Sequence, residues 1–135
     1  MTVLAFMNSK LANAAVTGAQ VLASVAFLGA GSMKMLTPYA ELAAAPNMGW
    51  VNDFSSGSVL AIGAFEFLFA LGLALSLFVA AAKKWTSVFA IGLVGIMAGA
   101  AVTHIGRGEP FVPNLVLILL CAAVAYARKD RLKTA

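Results

Sequence analysis

The chain has 135 residues, enough for one domain, and 62% of them are hydrophobic while only 10% are charged. Soluble domains have about 45–50% apolar and about 25% charged residues, and a short chain cannot bury so large a surplus of apolar surface in a water-exposed fold. The formal net charge of +4 comes from basic residues at the ends of apolar runs, which is typical of membrane anchors and argues against a nucleic-acid partner.

Four apolar runs are long enough to cross a hydrocarbon core about 30 Å thick, which takes about 20 helical residues. The predicted spans are residues 11–36, 58–82, 85–105 and 111–127. The first run is longer than a signal-peptide core and lacks a preceding basic cluster, so we expect it to be a true span. The runs are continuous, without the alternation of a membrane β-barrel. We predict an all-α, integral membrane antiparallel four-helix bundle that makes residues 1–135 a single transmembrane domain.

The connection after the first span, residues 37–57, is the only long one. Residues 39–45 predict a short helix that lies at the membrane interface and ends before Pro46. Such a helix could cover whatever lies beneath it. The other connections are short, as expected for neighbouring antiparallel helices.

The distribution of lysine and arginine between the two sides predicts the orientation. The tails and the middle connection share one side, and their basic residues are Lys10, Lys83, Lys84, Arg128, Lys129, Arg131 and Lys133. The other side has only Lys34 and Arg107. We therefore expect both termini in the cytoplasm and the protein in a cell inner membrane, with the long connection outside.

Three spans carry small residues at helical spacing, which in membrane helices indicates faces that pack closely. These faces hold Ala15, Ala19, Ala23, Ala26 and Ala30 in the first span, Gly63, Ala70 and Ala74 in the second, and Gly92, Gly95 and Gly99 in the third. The first face leads to Lys34, and the second includes Glu66.

Ionisable side chains within a span are costly, so they tend to face the bundle interior and find partners. Glu66 lies roughly 12 Å into the second span at 1.5 Å per residue. Lys34 and His104 end the first and third spans on the same side, and Arg107, Glu109 and Asn114 follow His104 across a short turn. We predict a contact between Lys34 and Glu66, with His104 near it.

Two interpretations of this cluster remain open. In the first, Lys34 and Glu66 form an ion pair that fixes helix register. In the second, Lys34, Glu66, His104, Arg107 and Asn114 bind a small lipophilic molecule such as a quinone, whose carbonyl needs a hydrogen-bond donor. No metal site and no covalently held cofactor are expected, because one histidine and one cysteine supply too few ligands for haem, zinc or di-iron. No nucleophile–base pair is visible, so a self-contained enzyme is only the third hypothesis. Whether the protein catalyses a reaction is left open.

Four segments resemble those of DoxX-like membrane proteins. Residues 29–36, which close the first span, are similar to that family's Gly-x-x-Lys-Leu ending, and residues 62–66 are similar to its Gly-x-x-Glu. Residues 100–104 resemble its alanine-rich approach to a histidine, and residues 112–117 resemble the start of its last helix. The likeness extends over about residues 21–127.

The resemblance implies a four-helix membrane bundle and a link to redox chemistry, because one branch of the family is a subunit of a thiosulfate:quinone oxidoreductase. One hypothesis is therefore a quinone- or lipid-associated subunit of a membrane redox system, with a partner that supplies the electron carrier. The alternative is a non-catalytic accessory subunit that packs against a larger membrane complex. Besides the bilayer, the expected partners are such a complex or further copies of this chain.

Overall fold

Helices form nearly all of the chain in a computed structural model, which describes residues 2–134. In order they are α1 (Val3–Leu36), α2 (Tyr39–Ala44), a 3-10 helix (Gly49–Asp53), α3 (Ser56–Leu75), α4 (Ala80–Lys83), α5 (Thr86–Gly106), α6 (Val112–Arg128) and a second 3-10 helix (Lys129–Thr134). No strand occurs within residues 2–134. Four of these helices, α1, α3, α5 and α6, are long and apolar enough to cross a membrane.

The four long helices form a closed ring in which each contacts its neighbours in chain order and α6 returns to α1. Short connections make consecutive helices antiparallel. The interior holds an apolar cluster that includes Phe27, Leu73 and Leu93, each almost fully buried. Large apolar side chains such as Phe65 and Leu119 face outward and are exposed. The predicted all-α membrane bundle is therefore confirmed, and its outward face is suited to contact with lipid.

The helices α1 and α3 approach most closely where two glycines meet. A Cβ atom added at Gly31 would lie 2.7 Å from the backbone oxygen of Gly63 and 2.7 Å from the backbone nitrogen of Phe67. A Cβ atom added at Gly63 would lie 2.6 Å from Cβ of Lys34. Because neither position has space for a methyl group, the two backbones are in direct contact, as at other small-residue crossings in membranes.

Phenylalanine rings separate α3 from α5 in a reciprocal arrangement. The Phe69 ring of α3 lies against Gly92 of α5, and the Phe89 ring of α5 lies against Gly72 of α3. Each glycine makes room for the ring of the opposite helix. The sequence predicted a continuous packing face along α5 through Gly92, Gly95 and Gly99. Only Gly92 packs in this way: Gly95 and Gly99 are exposed and would place an added Cβ in open space.

The helix α3 ends at Leu75, earlier than the predicted span to residue 82, and the chain continues through a turn into α4. A buried polar contact stabilises this end. Nε2 of Gln20 on α1 donates to the carbonyl oxygen of Leu73 at 2.8 Å and to Oγ of Ser76 at 2.7 Å. The Ser76 hydroxyl in turn donates to the same Leu73 oxygen. The last carbonyls of a helix need such partners.

The connection between α1 and α3 folds back onto the bundle. The α2 helix and the following 3-10 helix share a small core of Leu42, Val51 and Val59. The Tyr39 hydroxyl lies 2.7 Å from the carbonyl oxygen of Phe54 and 3.1 Å from that of Val51, so it ties the start of the connection to its end. The predicted short helix is present, and this connection covers what we call the α2 end of the bundle.

Candidate functional site

Lys34 and Glu66 form a buried ion pair between α1 and α3. Nζ of Lys34 lies 2.8 Å from Oε2 of Glu66, and the two side chains are only 9% and 2% exposed. Each residue lies three positions beyond the Gly31–Gly63 contact, about 4.5 Å along its own axis. Since the helices are antiparallel, the residues lie on opposite sides of the crossing. The lysine side chain extends back toward its helix N-terminus, where Nζ is 3.5 Å from the Ala30 carbonyl oxygen, and thereby reaches the carboxylate.

The pair is only partly satisfied by protein atoms. An ammonium group has three donors and a carboxylate has two acceptor oxygens. Among the described residues, the hydrogen bond from Lys34 uses Oε2 of Glu66, and none is made to Oε1. The ammonium also lies 5.8 Å from the centre of the Trp50 ring, at the limit of a cation–π contact. The pair therefore keeps hydrogen-bonding capacity for a further group.

That capacity faces a cavity of about 510 Å³, within the size range of small-molecule sites. Its polar lining comes from all four long helices: Lys34 on α1, Glu66 on α3, Thr103 and His104 on α5, and Asn114 on α6. Apolar groups complete it: Met48, Trp50, Phe54, Ile62, Gly95, Ile96, Met97, Gly99 and Ala100. A mostly apolar cavity with a few converging polar groups is the usual form of a ligand site.

Two sides of the cavity differ in character. Toward the α2 end it is covered by Trp50 and Phe54, whose rings pack edge to face with centroids 5.8 Å apart. Along α5 it is bordered by the exposed glycines Gly95 and Gly99. A Cβ atom added at either position would have no neighbour within 4 Å, so there is open space along this border.

His104 belongs to a second polar group at the α2 end, which we call the outer network: Asp53, His104, Arg107 and Glu109. Nδ1 of His104 lies 2.8 Å from Oε2 of Glu109. Oε1 of Glu109 accepts from Nε of Arg107 at 2.7 Å, and Nη1 of Arg107 donates to Oδ2 of Asp53 at 2.8 Å. The network therefore connects the 3-10 helix above the cavity with the turn between α5 and α6.

The backbone at the end of α5 places Glu109 over His104. Gly108 has φ +69°, the left-handed conformation that glycine adopts without strain. The amide of Glu109 donates to the carbonyl of His104 and that of Gly108 donates to the carbonyl of Ile105, which together form a Schellman motif. This turn returns the chain toward the helix it has just left. The carboxylate of Glu109 thereby meets the imidazole five residues earlier.

Hydrogen bonding in the outer network favours the ionised form of Glu109. The bonds from Arg107 and then from His104 hold the pKa of the Glu109 carboxyl below its usual range. The carboxylate is therefore an acceptor for Nδ1–H of His104, which leaves Nε2 as the second ring nitrogen of a residue that lines the cavity.

Four of the five predicted site residues line this single cavity, namely Lys34, Glu66, His104 and Asn114. The expected contact between Lys34 and Glu66 is present. Arg107 does not line the cavity and instead bonds Asp53 and Glu109 at the surface. Glu109 was recognised as a neighbour of these residues but was not predicted as a site residue, and Trp50 was not predicted as one either. Among the described residues, no group of three or more His, Cys, Asp and Glu side chains could hold a metal ion.

The fold and this cavity define a class of protein: a small four-helix membrane protein with a charged pair and a mostly apolar cavity between its helices. Residues 18–126 match the sequence model of the DoxX-like family, and the chain therefore belongs to that family. This match covers most of the chain and confirms the resemblance noted in the four sequence segments. No curated protein and no solved structure matches the chain.

Proposed function

We propose that this DoxX-like protein binds a small lipophilic molecule with a neutral carbonyl or hydroxyl head, of which a quinone is the leading example, as a subunit of a membrane redox system. The observation that carries the proposal is the buried Lys34–Glu66 pair in the wall of the 510 Å³ cavity. A redox-active quinone bound in this cavity would have its ring among the hydrogen-bonding groups and its tail toward lipid. A partner protein would supply the electron carrier.

The charges of the cavity support a neutral ligand. Lys34 is balanced by Glu66, so a charged head would have to compete with an existing buried partner. A carbonyl oxygen can instead accept from the remaining donors of Lys34 or from Asn114, and a hydroxyl can donate to Oε1 of Glu66. The Trp50 ring adds a flat apolar surface beside them.

Binding of a quinone can be measured through Trp50, which lies in the cavity wall. In a Trp85→Phe background, Trp50 is the only tryptophan left, and a short-tailed benzoquinone bound in the cavity should quench its fluorescence saturably. Glu66→Gln should abolish the saturable component. The matched control is Glu41→Gln, an exposed glutamate of α2, which should bind as the unchanged protein does. Equal quenching in the Glu66 and Glu41 variants would contradict the proposal.

A second candidate function is that of an accessory subunit that packs against a larger membrane complex. The observation that favours it is the exposed pair Gly95 and Gly99, which would allow another helix to approach α5 closely. The two functions differ in what occupies this border, a ligand tail or a helix. An inner-membrane location with cytoplasmic termini belongs to both proposals and is supported by the lysine and arginine bias.

A further inference from the structure

The charges of the outer network do not balance without His104. Arg107 is bonded to two carboxylates, those of Asp53 and Glu109, so these three groups together carry one net negative charge. His104 is the fourth member of the network and contacts Glu109 directly at 2.8 Å. A second proton on the imidazole would neutralise the network. The imidazole therefore lies next to a carboxylate whose network carries an excess negative charge, at a residue that also lines the cavity.

The two residues of this contact also bridge two environments. The His104 side chain is 18% exposed and lines the cavity, whereas that of Glu109 is 30% exposed and lies in the connection between α5 and α6. A proton on the imidazole can thus be exchanged with the ligand on one side and with water on the other. Histidine is the side chain best suited to such exchange near neutral pH.

We propose that His104 and Glu109 form a proton-exchange dyad, in which His104 exchanges a proton with a hydroxyl group of the bound ligand and Glu109 positions His104. The proposal rests on the proposed function, since it needs a ligand in the cavity. It names a further residue, Glu109, and a further property of the ligand, an ionisable hydroxyl. Protons are exchanged with water at the α2 end of the bundle.

The step is an acid–base reaction without a change in oxidation state. The O–H bond of the ligand breaks and its electron pair stays on the oxygen, while the proton forms an N–H bond at Nε2 of neutral His104. Nδ1–H remains bonded to the Glu109 carboxylate, which stabilises the imidazolium. The Nδ1 proton then passes through the Glu109 carboxylate to water at the exposed edge of the network, and the imidazole keeps the new N–H bond at Nε2.

Other charged groups around the cavity affect this reaction as well. Lys34 on α1 favours the oxyanion, and Glu66 on α3 opposes it, but these two are paired with each other. Arg107 and Asp53 act on His104 through Glu109. The α6 helix presents Asn114, which does not titrate. Glu109 is the only carboxylate among the described residues that hydrogen-bonds the imidazole.

A 4-nitrophenol with an alkyl chain is a suitable probe, because its phenolate absorbs visible light and the molecule needs no redox partner. The pH midpoint for phenolate formation is measured with the probe bound to the full-length protein in detergent. Glu109→Gln keeps the size of the side chain but removes its charge, and we expect the bound midpoint to rise by about one unit. His104→Gln should raise it similarly. Glu41→Gln, the matched control at the same end, should not change it.

The possible outcomes distinguish a failure of the dyad proposal from a failure of the proposed ligand site. Saturable binding with the same bound midpoint in the unchanged protein and in both dyad variants would overturn the dyad and leave the proposed function in place. No saturable binding to the unchanged protein would contradict the proposed function and the dyad together. A rise of the midpoint in both dyad variants, with probe still bound, would support the proposal, because a merely structural role would not move the spectrum.

Discussion

Gly31 of α1 lies in direct backbone contact with Gly63 of α3, and this contact sets the position of the Lys34–Glu66 pair. One turn beyond each glycine, on opposite sides of the crossing, lie the two charged residues, with 2.8 Å between Nζ and Oε2. Bulkier residues at the crossing would move the helices apart. The charged pair would then lose the geometry that offsets the cost of burying it.

Alanine at either glycine of this crossing should destabilise the protein. The added methyl group would overlap backbone atoms at Gly31, or Cβ of Lys34 at Gly63, and overpacking of this kind typically costs about 1–3 kcal/mol. Thermal unfolding in detergent measures the effect. Gly29→Ala is the matched control, since it lies on the same helix with nothing near its Cβ, and should not destabilise. Equal stability of the Gly31 and Gly29 variants would show that the close contact is wrong.

The two charged residues should be interdependent in stability. Removal of one partner leaves the other charge buried and alone, which costs about 3–5 kcal/mol in buried pairs. Glu66→Gln and Lys34→Met should therefore each lower the unfolding temperature. The double variant should be more stable than either single variant, because it leaves no buried charge. A double variant as unstable as the sum of the two single changes would mean that the residues act independently.

Filling the border of the cavity should distinguish its two suggested occupants. Gly99→Leu places a side chain into the space that borders α5, so quinone quenching of Trp50 should weaken while the unfolding temperature stays close to its original value. Gly29→Leu, at an exposed position on α1, is the control and should bind normally. If Gly99→Leu leaves quenching intact but removes a co-purifying partner, the accessory function is favoured.

Acid should release the 3-10 helix that covers the cavity. The pKa of Glu109 lies below its usual range, chiefly because of the hydrogen bond from Arg107 and then that from His104. A carboxylate with a lowered pKa contributes stability at higher pH and loses it as pH falls through that pKa. The network should therefore persist at the usual pKa of a glutamate and open only at pH values below it. Trp50 fluorescence in the Trp85→Phe background reports the change, and Glu109→Gln should remove the acid transition.

The orientation can be tested by cysteine labelling from each side of the membrane. Cys121 is buried, so Cys121→Ala gives a background without cysteine. In that background, Glu41→Cys should react with a membrane-impermeant thiol reagent added outside intact cells. Lys133→Cys should react only after the membrane is opened. The opposite pattern would reverse the proposed orientation.

Hydropathy and charge predicted the bundle because lipid imposes length, apolarity and internal pairing on every span. The same cost argument predicted that Lys34 and Glu66 would find each other, since each is expensive to bury alone. The end of α3 at Leu75 was not predicted, and the buried contact there joins Gln20 to residues 53 and 56 positions further along the chain. The sequence remains apolar beyond Leu75, so its hydropathy gives no information about that contact.

Two features of the site show where sequence patterns lack information. A stripe of small residues along α5 cannot distinguish a packed surface from an open one, and Gly95 and Gly99 belong to the open kind. The contact between Glu109 and His104 could have been predicted from the sequence, because Gly108 directly follows the last turn of α5. A glycine there predicts a Schellman turn and returns the following residue toward the helix end.

Native mass spectrometry of the protein, extracted gently from its own membrane, tests most directly whether the cavity beside Lys34 and Glu66 holds a lipophilic ligand. We expect a stoichiometric small mass on the unchanged protein that is lost in Glu66→Gln and retained in Glu41→Gln. A fixed complex with larger subunits and no small mass would contradict it and would make Lys34–Glu66 a structural pair.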